Sequence, residues 1–343
     1  MTELGYLMAL SNAMTATLQI PSGWVSDRYG RRKIHILGSA LAILPPLAYT
    51  LARNWIDLIP WVVLSGLSVG LYNPVRASII ADESASGTMA MAYGWINVSW
   101  LIGSVGGPIL SGFLADALGI RTPFILCFLL LSLSLPLVLS IQETSRRTER
   151  GIEMSREDCP KEFVSAAFIF SSMNVLQGVA FGVFFTITPI FLSKVFSADF
   201  LYIGLVNAVG FGLASIIAQI PGGICATRYD RKSLLVIATV VSAPFYALLP
   251  ISQSMTVYLL YVFLANLSLA LSWPAFQELM MRSVSPLKWG FMNGLAATSY
   301  WAGMMIGSAS SGLIWDMFCA SMSYYLAALT VFLSAIPALF IKR

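Results

Sequence analysis

Residues 21–33 read PSGWVSDRYGRRK, and residues 221–233 read PGGICATRYDRKS. The two stretches align without a gap at an offset of 200 residues, and the same offset matches a proline, several glycines and an aspartate further along the chain. These further pairs are Pro74 with Pro274, Gly94 with Gly294, Gly103 with Gly303, Gly107 with Gly307, Gly112 with Gly312 and Asp116 with Asp316. A single offset held over roughly a hundred residues indicates one structural unit that occurs twice.

The composition indicates that this repeated unit lies in a membrane. Hydrophobic residues make up 57% of the chain and charged residues 10%, and the mean hydropathy is +0.79. Soluble domains carry about 25% charged residues, and apolar runs long enough to cross a hydrocarbon core of about 30 Å recur along the whole chain. They predict eleven membrane helices, near 5–24, 34–52, 57–81, 88–115, 121–141, 163–193, 200–221, 233–251, 255–280, 287–315 and 320–340.

The rare residue types argue against an enzyme. The single histidine, His35, cannot supply a zinc cluster or a Ser-His-Asp arrangement by itself. The four cysteines, Cys127, Cys159, Cys225 and Cys319, are far apart and show no spacing typical of a metal site or a disulfide framework. No G-x-x-x-x-G-K-[ST] loop is present, which argues against an ATP-driven pump. The sequence therefore predicts a protein without catalytic residues, cofactor or metal ion.

Basic residues alternate between the predicted loops. One set of loops and the C-terminus contain Arg28, Arg31, Arg32, Lys33, Arg146, Arg147, Arg150, Arg156, Lys161, Arg228, Arg231, Lys232, Arg282, Lys288, Lys342 and Arg343. The other set contains only Arg53, Arg121 and Lys194. By the positive-inside rule, the first set is cytoplasmic. We therefore expect a multi-pass cell-membrane protein with a cytoplasmic central loop and C-terminus, and no binding to nucleic acid.

The only long hydrophilic stretch divides the chain. We expect an N-terminal helical bundle over 1–142, a cytoplasmic central loop over 143–162 and a C-terminal bundle over 163–343. The second bundle opens with a span near 163–193 that has no counterpart in the first. The chain therefore predicts eleven visible helices of a twelve-helix pattern. We expect a start site chosen too late, and a truncated chain or a genuine variant are the alternatives.

Two motifs link the repeat to a known family. The first is G-x-x-x-D-R-x-G-R-R, formed by Gly23, Asp27, Arg28, Gly30, Arg31 and Arg32. It resembles the signature loop between the second and third helices of the major facilitator superfamily. The second comprises Gly94, Gly103, Gly107, Pro108, Ser111 and Gly112, and it resembles the fifth-helix motif associated with antiporting exporters, with Ser111 in place of one glycine. The resemblance implies an all-α integral membrane fold of two six-helix bundles around one cavity.

The first motif suggests a cytoplasmic gate. Asp27 would lie near a helix N-terminus of the other bundle, and Arg31 or Arg28 would pair with Asp82. Such contacts contribute about 0.3–2 kcal/mol each, enough to bias a rocking equilibrium without locking it. The alternative is that these charges only anchor the topology.

The second motif suggests a sealed, bent helix. Gly103 and Gly107 fall on one side of the predicted helix, and Gly94 and Gly112 fall on the other. Small residues on two sides allow close packing against two neighbours. Pro108 removes an intrahelical hydrogen bond and should bend the helix. A bend that prevents leakage and ordinary tight packing both remain open.

Arg76 is a charge inside a predicted membrane helix. Such a charge costs at least about 2.5 kcal/mol at the centre of a bilayer and usually faces a cavity or a partner. The family's cavity-lining helices imply eight residues around the substrate: Tyr72, Asn73, Arg76, Asn174, Gln177, Trp273, Gln277 and Glu278. Three roles for Arg76 stay open, which are contact with the substrate, a gate pair with Glu278, and a side chain that reaches the headgroups.

Two features depart from a proton-coupled exporter of this family. Val62 stands one turn before Gly66, where such exporters often carry an arginine. No acid lies near the middle of any visible span, since Glu3 and Glu278 are close to helix ends. The proton carrier is therefore Glu278, a residue on the unseen first helix, or absent.

The resemblance and these residues lead to one leading hypothesis. We expect a secondary active transporter that works by rocker-switch alternating access and exports small amphipathic molecules in exchange for protons. Its partners would be the lipid bilayer, a small-molecule substrate and protons, and it would act as a monomer. One alternative is uptake of a small organic anion or metabolite with Arg76 as the counter-charge. Another is a membrane sensor or an inactive truncated paralogue that transports nothing.

Overall fold

The structure, a computed structural model, describes residues 1–83, 89–141, 161–284 and 288–341. Within these ranges, the side chains of residues 27, 77, 78, 80–83, 89–97, 101, 161, 162 and 289 are not described. The described residues form eleven long helices and no strand. The helices are α1 Thr2–Tyr29, α2 Arg31–Leu51, α3 Trp55–Glu83, α4 Met89–Leu118, α5 Thr122–Leu139, α6 Lys161–Phe196, α7 Phe200–Arg228, α8 Arg231–Leu248, α9 Met255–Arg282, α10 Trp289–Met317 and α11 Ala320–Leu339.

These helices confirm the all-α membrane architecture and the predicted number of eleven visible helices. Nine of the helices in the described ranges are long and apolar enough to cross a membrane, and the other two are α1 and α10. α1 is less apolar because it buries polar side chains such as Asn12, Thr15 and Gln19. α1 and α7 run past the predicted apolar stretches to Tyr29 and Arg228, because the polar residues of the motif continue each helix.

The turn between α1 and α2 differs from its counterpart in the repeat, the turn between α7 and α8. Between α1 and α2, Gly30 has φ 103, which is in the left-handed region where glycine is favoured. Asp230 replaces it between α7 and α8 with φ −61, and its carboxylate accepts the Ser233 N–H at 3.0 Å. The second copy therefore exchanges a glycine turn for a helix N-cap.

In the second half, α6 lies against α10 and α11. Glycines bring α6 and α10 together at the level of their backbones. Gly178 and Gly182 of α6 face the backbone of Tyr300 and Met304. At the far end of α6, the Thr188, Tyr258 and Tyr324 hydroxyls lie within 3.4 Å of one another in the core.

In the first half, α3 lies between α1 and α2. The hydroxyl of Thr15 donates to the Gly66 carbonyl at 3.1 Å, and the hydroxyl of Ser22 donates to the Gly70 carbonyl at 2.9 Å. A methyl group at Gly70 would stand 2.7 Å from Leu18 Cβ, so α1 and α3 are in close contact. In contrast, α5 packs on α2 and contains no residue classed as buried, although every residue of that helix is described.

Two seams join the halves, one between α1 and α10 and the other between α4 and α7. The repeat relates these seams, because α1 corresponds to α7 and α4 corresponds to α10. Most of the predicted central loop at 143–162 lies outside the described residues, so the predicted domain boundaries stay predictions.

One stretch of α7 departs from α-helical geometry. Residues Val206–Leu213 form a π-helix, with Asn207 donating from its side chain to the Ile203 carbonyl at 3.0 Å. Within that stretch, Gly210 lies against the Val262 side chain of α9. Short π-helical segments are frequent at functional sites, and this one lies on a seam helix.

Candidate functional site

The seam between α1 and α10 is tightly closed near the start of α1. A methyl group at Gly5 would stand 2.6 Å from the Ser308 carbonyl oxygen, and one at Gly312 would stand 2.8 Å from the Met1 carbonyl oxygen. Two turns further along α1, buried Asn12 donates to the Ser308 hydroxyl at 3.2 Å. The two backbones are therefore in direct contact at this end of the seam.

The seam between α4 and α7 is closed in the same way near the start of α7. Gly204 faces the Pro108 carbonyl oxygen, and Gly112 faces the Phe200 carbonyl oxygen, each too closely for a side chain. Further along, Gly212 meets the Val105 side chain. Small residues again let two helices from different halves approach closely.

An aspartate ends each seam. The Asp116 carboxylate of α4 accepts the Phe200 N–H at 3.0 Å and the Leu201 N–H at 2.7 Å. The Asp316 carboxylate of α10 accepts the N–H and the hydroxyl of Thr2, both at 2.7 Å, and the amino nitrogen of Met1 lies 3.0 Å away. Each carboxylate thus receives hydrogen bonds from the first residues of a helix in the other half.

Both closed regions are at one end of the molecule, where α1 and α7 begin and α4 and α10 end. We call this the sealed end and the opposite one the motif end. Toward the motif end of α1, α7 and α10, methyl groups at Gly23, Gly223, Gly290 and Gly294 would meet no described atom within 4 Å. Because Gly23 is about five turns from Gly5, it points in the same direction along α1. Among the described residues, the halves are therefore in contact at the sealed end, and no atom of the other half lies beside Gly23 on that side of α1 at the motif end.

An aromatic group borders the space between the halves. Phe211 of α7 lies 6.3 Å from Trp100 of α4, 5.8 Å from Phe181 and 5.4 Å from Phe185 of α6, between ring centroids. A cavity of about 350 Å³ adjoins it, lined by Ser104, Pro108, Ser111, Phe185, Asn207 and Phe211. These six lining residues carry no charge, so this open cleft suits an apolar or aromatic group.

The three predicted cavity residues of the first half are on α3, near the motif end. Tyr72 makes an edge contact with His35 of α2, with ring centroids 6.4 Å apart. The Arg76 side chain is exposed and close enough to His35 and Tyr72 to interact electrostatically. Asn73 is partly buried.

The five predicted cavity residues of the second half are divided between α6 and α9. Asn174 is buried, and its amide donates to the Phe170 carbonyl of its own helix at 2.8 Å. Trp273 is 44% exposed and stacks on Phe276 with ring centroids 5.5 Å apart. Gln177 and Gln277 are partly buried. No recorded contact joins these side chains to those of α3 within the described residues, so their common site remains a prediction.

Glu278 has partners other than Arg76. Its carboxylate accepts from Arg231 of α8 at 2.5 Å and forms an ion pair with Arg282, one turn later on α9, at 2.7 Å. All three residues belong to the second half. In this conformation the suggested gate pair between Arg76 and Glu278 is therefore not formed, because two nearer arginines engage the carboxylate.

The predicted cytoplasmic gate is only partly described. The guanidinium of Arg28 lies 5.6 Å from the Trp24 ring centroid, and Arg32 donates to the Leu139 carbonyl at 2.8 Å. The side chains of Asp27 and Asp82 lie outside the described residues. The proposed contacts of these two aspartates, and with them the gating role of Arg31 and Gly30, stay predictions.

The glycines of the fifth-helix motif differ in what surrounds them. Gly112 packs on α7, whereas methyl groups at Gly103 and Gly107 would have no described atom within 4 Å. The predicted placement of these glycines on different sides of α4 agrees with this. Pro108 is inside a continuous helix, and the bend expected there stays a prediction. The surroundings of Gly94 are outside the described part of the structure.

Sequence reasoning missed the roles of Asp116 and Asp316. The repeat alignment already paired them, and each lies four residues after a glycine, Asp116 after Gly112 and Asp316 after Gly312. Residues four apart share one face of a helix. The sequence therefore already indicated that each aspartate lies on the same helix face as a glycine that allows close packing. What the alignment could not supply was the identity of the helix on the other side of each seam.

Comparison with known proteins agrees with this architecture. The family model of the Major Facilitator Superfamily matches residues 1–173 and again residues 170–343. The chain is 26% identical over 328 residues to the tetracycline resistance protein, class B, of Escherichia coli, an alignment that covers 92% of this chain and 79% of that protein. It is 22% identical over 325 residues to multidrug resistance protein 2 of Bacillus subtilis, covering 92% and 80%. The solved structure of the D-xylose–proton symporter superposes with a TM-score of 0.83 at 15% identity, over 100% of this chain and 88% of that one.

Proposed function

We propose, from the premise that this chain belongs to the major facilitator superfamily, that it exports small amphipathic molecules in exchange for protons. Membership makes it a multi-pass membrane transporter for a small molecule rather than an enzyme. The cargo, the direction and the coupling ion are the proposed part. Rocker-switch alternating access is the proposed mechanism, in which the two halves rotate about the cavity between them.

One observation carries the mechanism. Both seams are closed at the sealed end, while methyl groups at glycines toward the motif end of α1, α7 and α10 would meet no described atom within 4 Å. Alternating access requires a cavity that opens to one side at a time, and such a conformation corresponds to one of its two states. The two seams are related by the repeat, and the second state would break their contacts at the sealed end and form other contacts in their place.

Two observations support an amphipathic cargo. The printed names of two relatives are a tetracycline resistance protein and a multidrug resistance protein, and a transporter can protect a cell from a drug by removing it. The lining of the cavity beside Phe185 and Phe211 is uncharged and partly aromatic. Aromatic rings and a small number of polar groups suit molecules that combine apolar and polar parts.

Transport into everted membrane vesicles tests this proposal. Vesicles that contain the chain and are acidified inside should accumulate tetracycline or the amphipathic cation ethidium, and a protonophore should abolish the accumulation. Vesicles without the chain are the control. Accumulation that survives the protonophore would contradict proton linkage, and accumulation only in right-side-out vesicles would contradict export.

Uptake of a small organic anion remains the second candidate, and Arg76 favours it. Its exposed guanidinium on α3 could balance the charge of a carboxylate. If this alternative holds, right-side-out vesicles should accumulate benzoate, and Arg76→Gln should abolish that uptake. Arg53→Gln, which removes an exposed arginine of the α2–α3 turn, is the matched control. Under the main proposal Arg76→Gln retains export of the uncharged or cationic cargo.

Glu278 is the visible candidate for a coupling acid, and its two arginine partners argue for a structural role. We expect Glu278→Gln to retain export that depends on the pH gradient, because the carboxylate already serves Arg231 and Arg282. The same vesicle assay measures this. A folded Glu278→Gln variant that still binds cargo but no longer responds to the gradient would identify Glu278 as the proton carrier.

The orientation and the oligomeric state complete the proposal. The charge distribution favours a cytoplasmic motif end, central loop and C-terminus, and a monomer suffices because the cavity lies within one chain. A membrane sensor without transport is the remaining alternative. It predicts cargo binding in detergent but no accumulation in either vesicle orientation.

A further inference from the structure

Asp116 and Asp316 form the same contact twice in one molecule. Each is in the last turn of a seam helix and accepts hydrogen bonds from the first residues of a helix in the other half. The repeat relates the aspartates, the helices that carry them and the helices that they meet. Two equivalent contacts at one end of two equivalent seams indicate a shared role in closing that end.

The start of α7 shows why a carboxylate fits there. The first N–H groups of a helix have no partner within the helix. The side chain of Asp199 accepts the Tyr202 N–H at 2.7 Å, and the Phe200 and Leu201 N–H groups are bonded to Asp116. Asp116 therefore completes the N-terminus of a helix from the other half, where a negative charge is also favoured by the helix dipole.

A glycine one turn earlier makes each contact possible. Gly112 lies against the backbone of Phe200 and Leu201, and Gly312 lies against the backbone of Met1 and Thr2. A side chain at either glycine would separate the helices and place the following aspartate out of reach. The pattern G-x-x-x-D, present as 112–116 and 312–316, therefore combines a close approach with an acceptor on the same helix face.

We propose that Asp116 and Asp316 are positioning residues of the transport cycle, which hold the sealed end closed until both cross-seam contacts break together. This proposal rests on the alternating-access part of the proposed function. Rotation of the halves that opens the sealed end must withdraw each carboxylate from its N–H donors. Loss of either aspartate therefore shifts the population of both seams toward the open form, because the two seams join the same two rigid halves.

Cysteine labelling at the two seams tests this. Ala9 is on the α1 face between Gly5 and Asn12, and Ala208 is on the α7 face between Gly204 and Gly212. Ala9 is 7% exposed, and Ala208 is fully buried. We would introduce Ala9→Cys or Ala208→Cys separately into the full chain with its native cysteines replaced by serine. The measured quantity is the rate of labelling by a membrane-impermeant maleimide added at the sealed end.

The expected result is a response at both seams. Asp116→Ala should raise the labelling rate about tenfold at Ala208→Cys and also at Ala9→Cys on the other seam. The reason is that the free energy of a hydrogen bond to a charged acceptor corresponds to about a tenfold change in the population of the open form. Asp316→Ala should do the same. A response confined to the nearer reporter would show only a local contact, and it would overturn the proposal. Unchanged labelling at both reporters would also overturn it.

Asp57 supplies a matched control. It is exposed at the same end, in the first turn of α3, and accepts the Arg53 N–H at 3.0 Å and the Asn54 N–H at 3.3 Å within its own half. Asp57→Ala should leave both labelling rates unchanged. Equal increases in the Asp57 and Asp116 variants would mean general loosening, and the proposal would be wrong.

Two milder variants keep the test decisive if an alanine variant does not fold. Asp116→Asn retains one acceptor oxygen and should give an intermediate labelling rate, and Thr2→Val removes one hydroxyl bond to Asp316 and should also increase labelling at both reporters. Unchanged rates in both would contradict the proposal. The labelling needs no cargo and no proton gradient. A chain that exports neither tetracycline nor ethidium but labels as expected overturns the proposed cargo and leaves the proposed role of the aspartates standing.

Discussion

Gly303 and Gly307 of α10 occupy the same places in the repeat as Gly103 and Gly107 of α4, but only the α10 pair is covered. A methyl group at Gly303 or Gly307 would collide with a backbone carbonyl of α6. Methyl groups at Gly103 and Gly107 would meet no described atom within 4 Å. Equivalent sequence therefore produces the same helix face in both halves, and the neighbouring helix determines whether that face is packed.

The difference extends to the next helix of each half. In the second half α6 packs on both α10 and α11, and half of the apolar window of α11 is buried. The equivalent window of α5 is 0% buried, and the described residues place no helix beside it in the position of α6. Burial of a membrane helix thus depends on the number of helices around it more than on its own hydropathy, which is high in both.

The largest effect should come from filling the covered glycine face. Gly307→Ile would drive a side chain into the Val179 backbone of α6, which cannot move as a flexible side chain can. We expect a loss of about 3 kcal/mol or more, the upper part of the range for overpacking. Thermal unfolding in detergent, followed by the fraction of monodisperse protein, measures it. An unfolding temperature equal to that of the unchanged chain would show that the two helices are less closely packed than described.

The buried tyrosine cluster should give the next largest effect. Tyr324 and Tyr258 share a hydrogen bond of 2.8 Å, and the Thr188 hydroxyl contacts both. Tyr324→Phe removes one hydroxyl and should destabilise the chain by about 1–3 kcal/mol, since buried partners lose a hydrogen bond. The repeat places Phe124 at the equivalent position, where it is 38% exposed. Phe124→Leu, a larger change at the equivalent position of the first half, should still cost less, and an equal cost would contradict the described difference in burial.

Where the halves make the same contact, equal effects are expected. Arg32 donates to the Leu139 carbonyl at 2.8 Å, and Lys232 donates to the Leu339 carbonyl at 2.6 Å, so each closes the C-terminus of a helix. Alanine at either position should cost up to about 1 kcal/mol because these two bonds are at exposed sites. Lys232 also donates to the Ile341 carbonyl at 2.9 Å, so its loss should cost at least as much as that of Arg32. Parallel unfolding measurements on the two variants check this. A difference of several kcal/mol between them would show that the two contacts contribute differently to stability, although the repeat makes them equivalent.

The smallest effect should come from filling the open glycine face. Gly107→Ile places a side chain where no described atom is near, so we expect a change within about 0.5 kcal/mol. Gly106→Ile is the matched control, because the repeat counterpart Ile306 is itself 48% exposed. A cost for Gly107→Ile close to that of Gly307→Ile, with Gly106→Ile neutral, would mean that another helix covers this face in the membrane.

Much of the fold could be predicted because it depends on local properties. Apolar runs specify helices, the repeat offset specifies equivalent helices, and eleven of them were found close to the expected positions. The ends of α1 and α7 were less accurate. Arg28 and Arg228 are polar and look like loop residues, yet they continue their helices, since the turn itself comes only at Gly30 and at Tyr229.

The site was harder to predict because its contacts join distant parts of the chain. Arg76 was recognised as an unusual charge, but the choice of Arg231 as a partner of Glu278 depends on how α8 and α9 pack. Arg282, the other partner, is one turn away on the same helix. In the sequence, Asp116 stood out only as a residue that the repeat pairs with Asp316. Only the closure of the α4–α7 seam brings the Phe200 and Leu201 N–H groups within hydrogen-bonding distance of it.

The order of amino acids alone therefore specified the membrane helices, their duplication and the two motifs, because hydropathy, helical period and repeat offset are properties of neighbouring or equivalent residues. The tertiary structure selected which helices meet, which of two equivalent glycine pairs is covered, and which carboxylate completes which helix N-terminus. These choices depend on shape complementarity between surfaces far apart in sequence. A one-dimensional pattern contains the groups that can bond, and only the packed arrangement brings a particular donor to a particular acceptor.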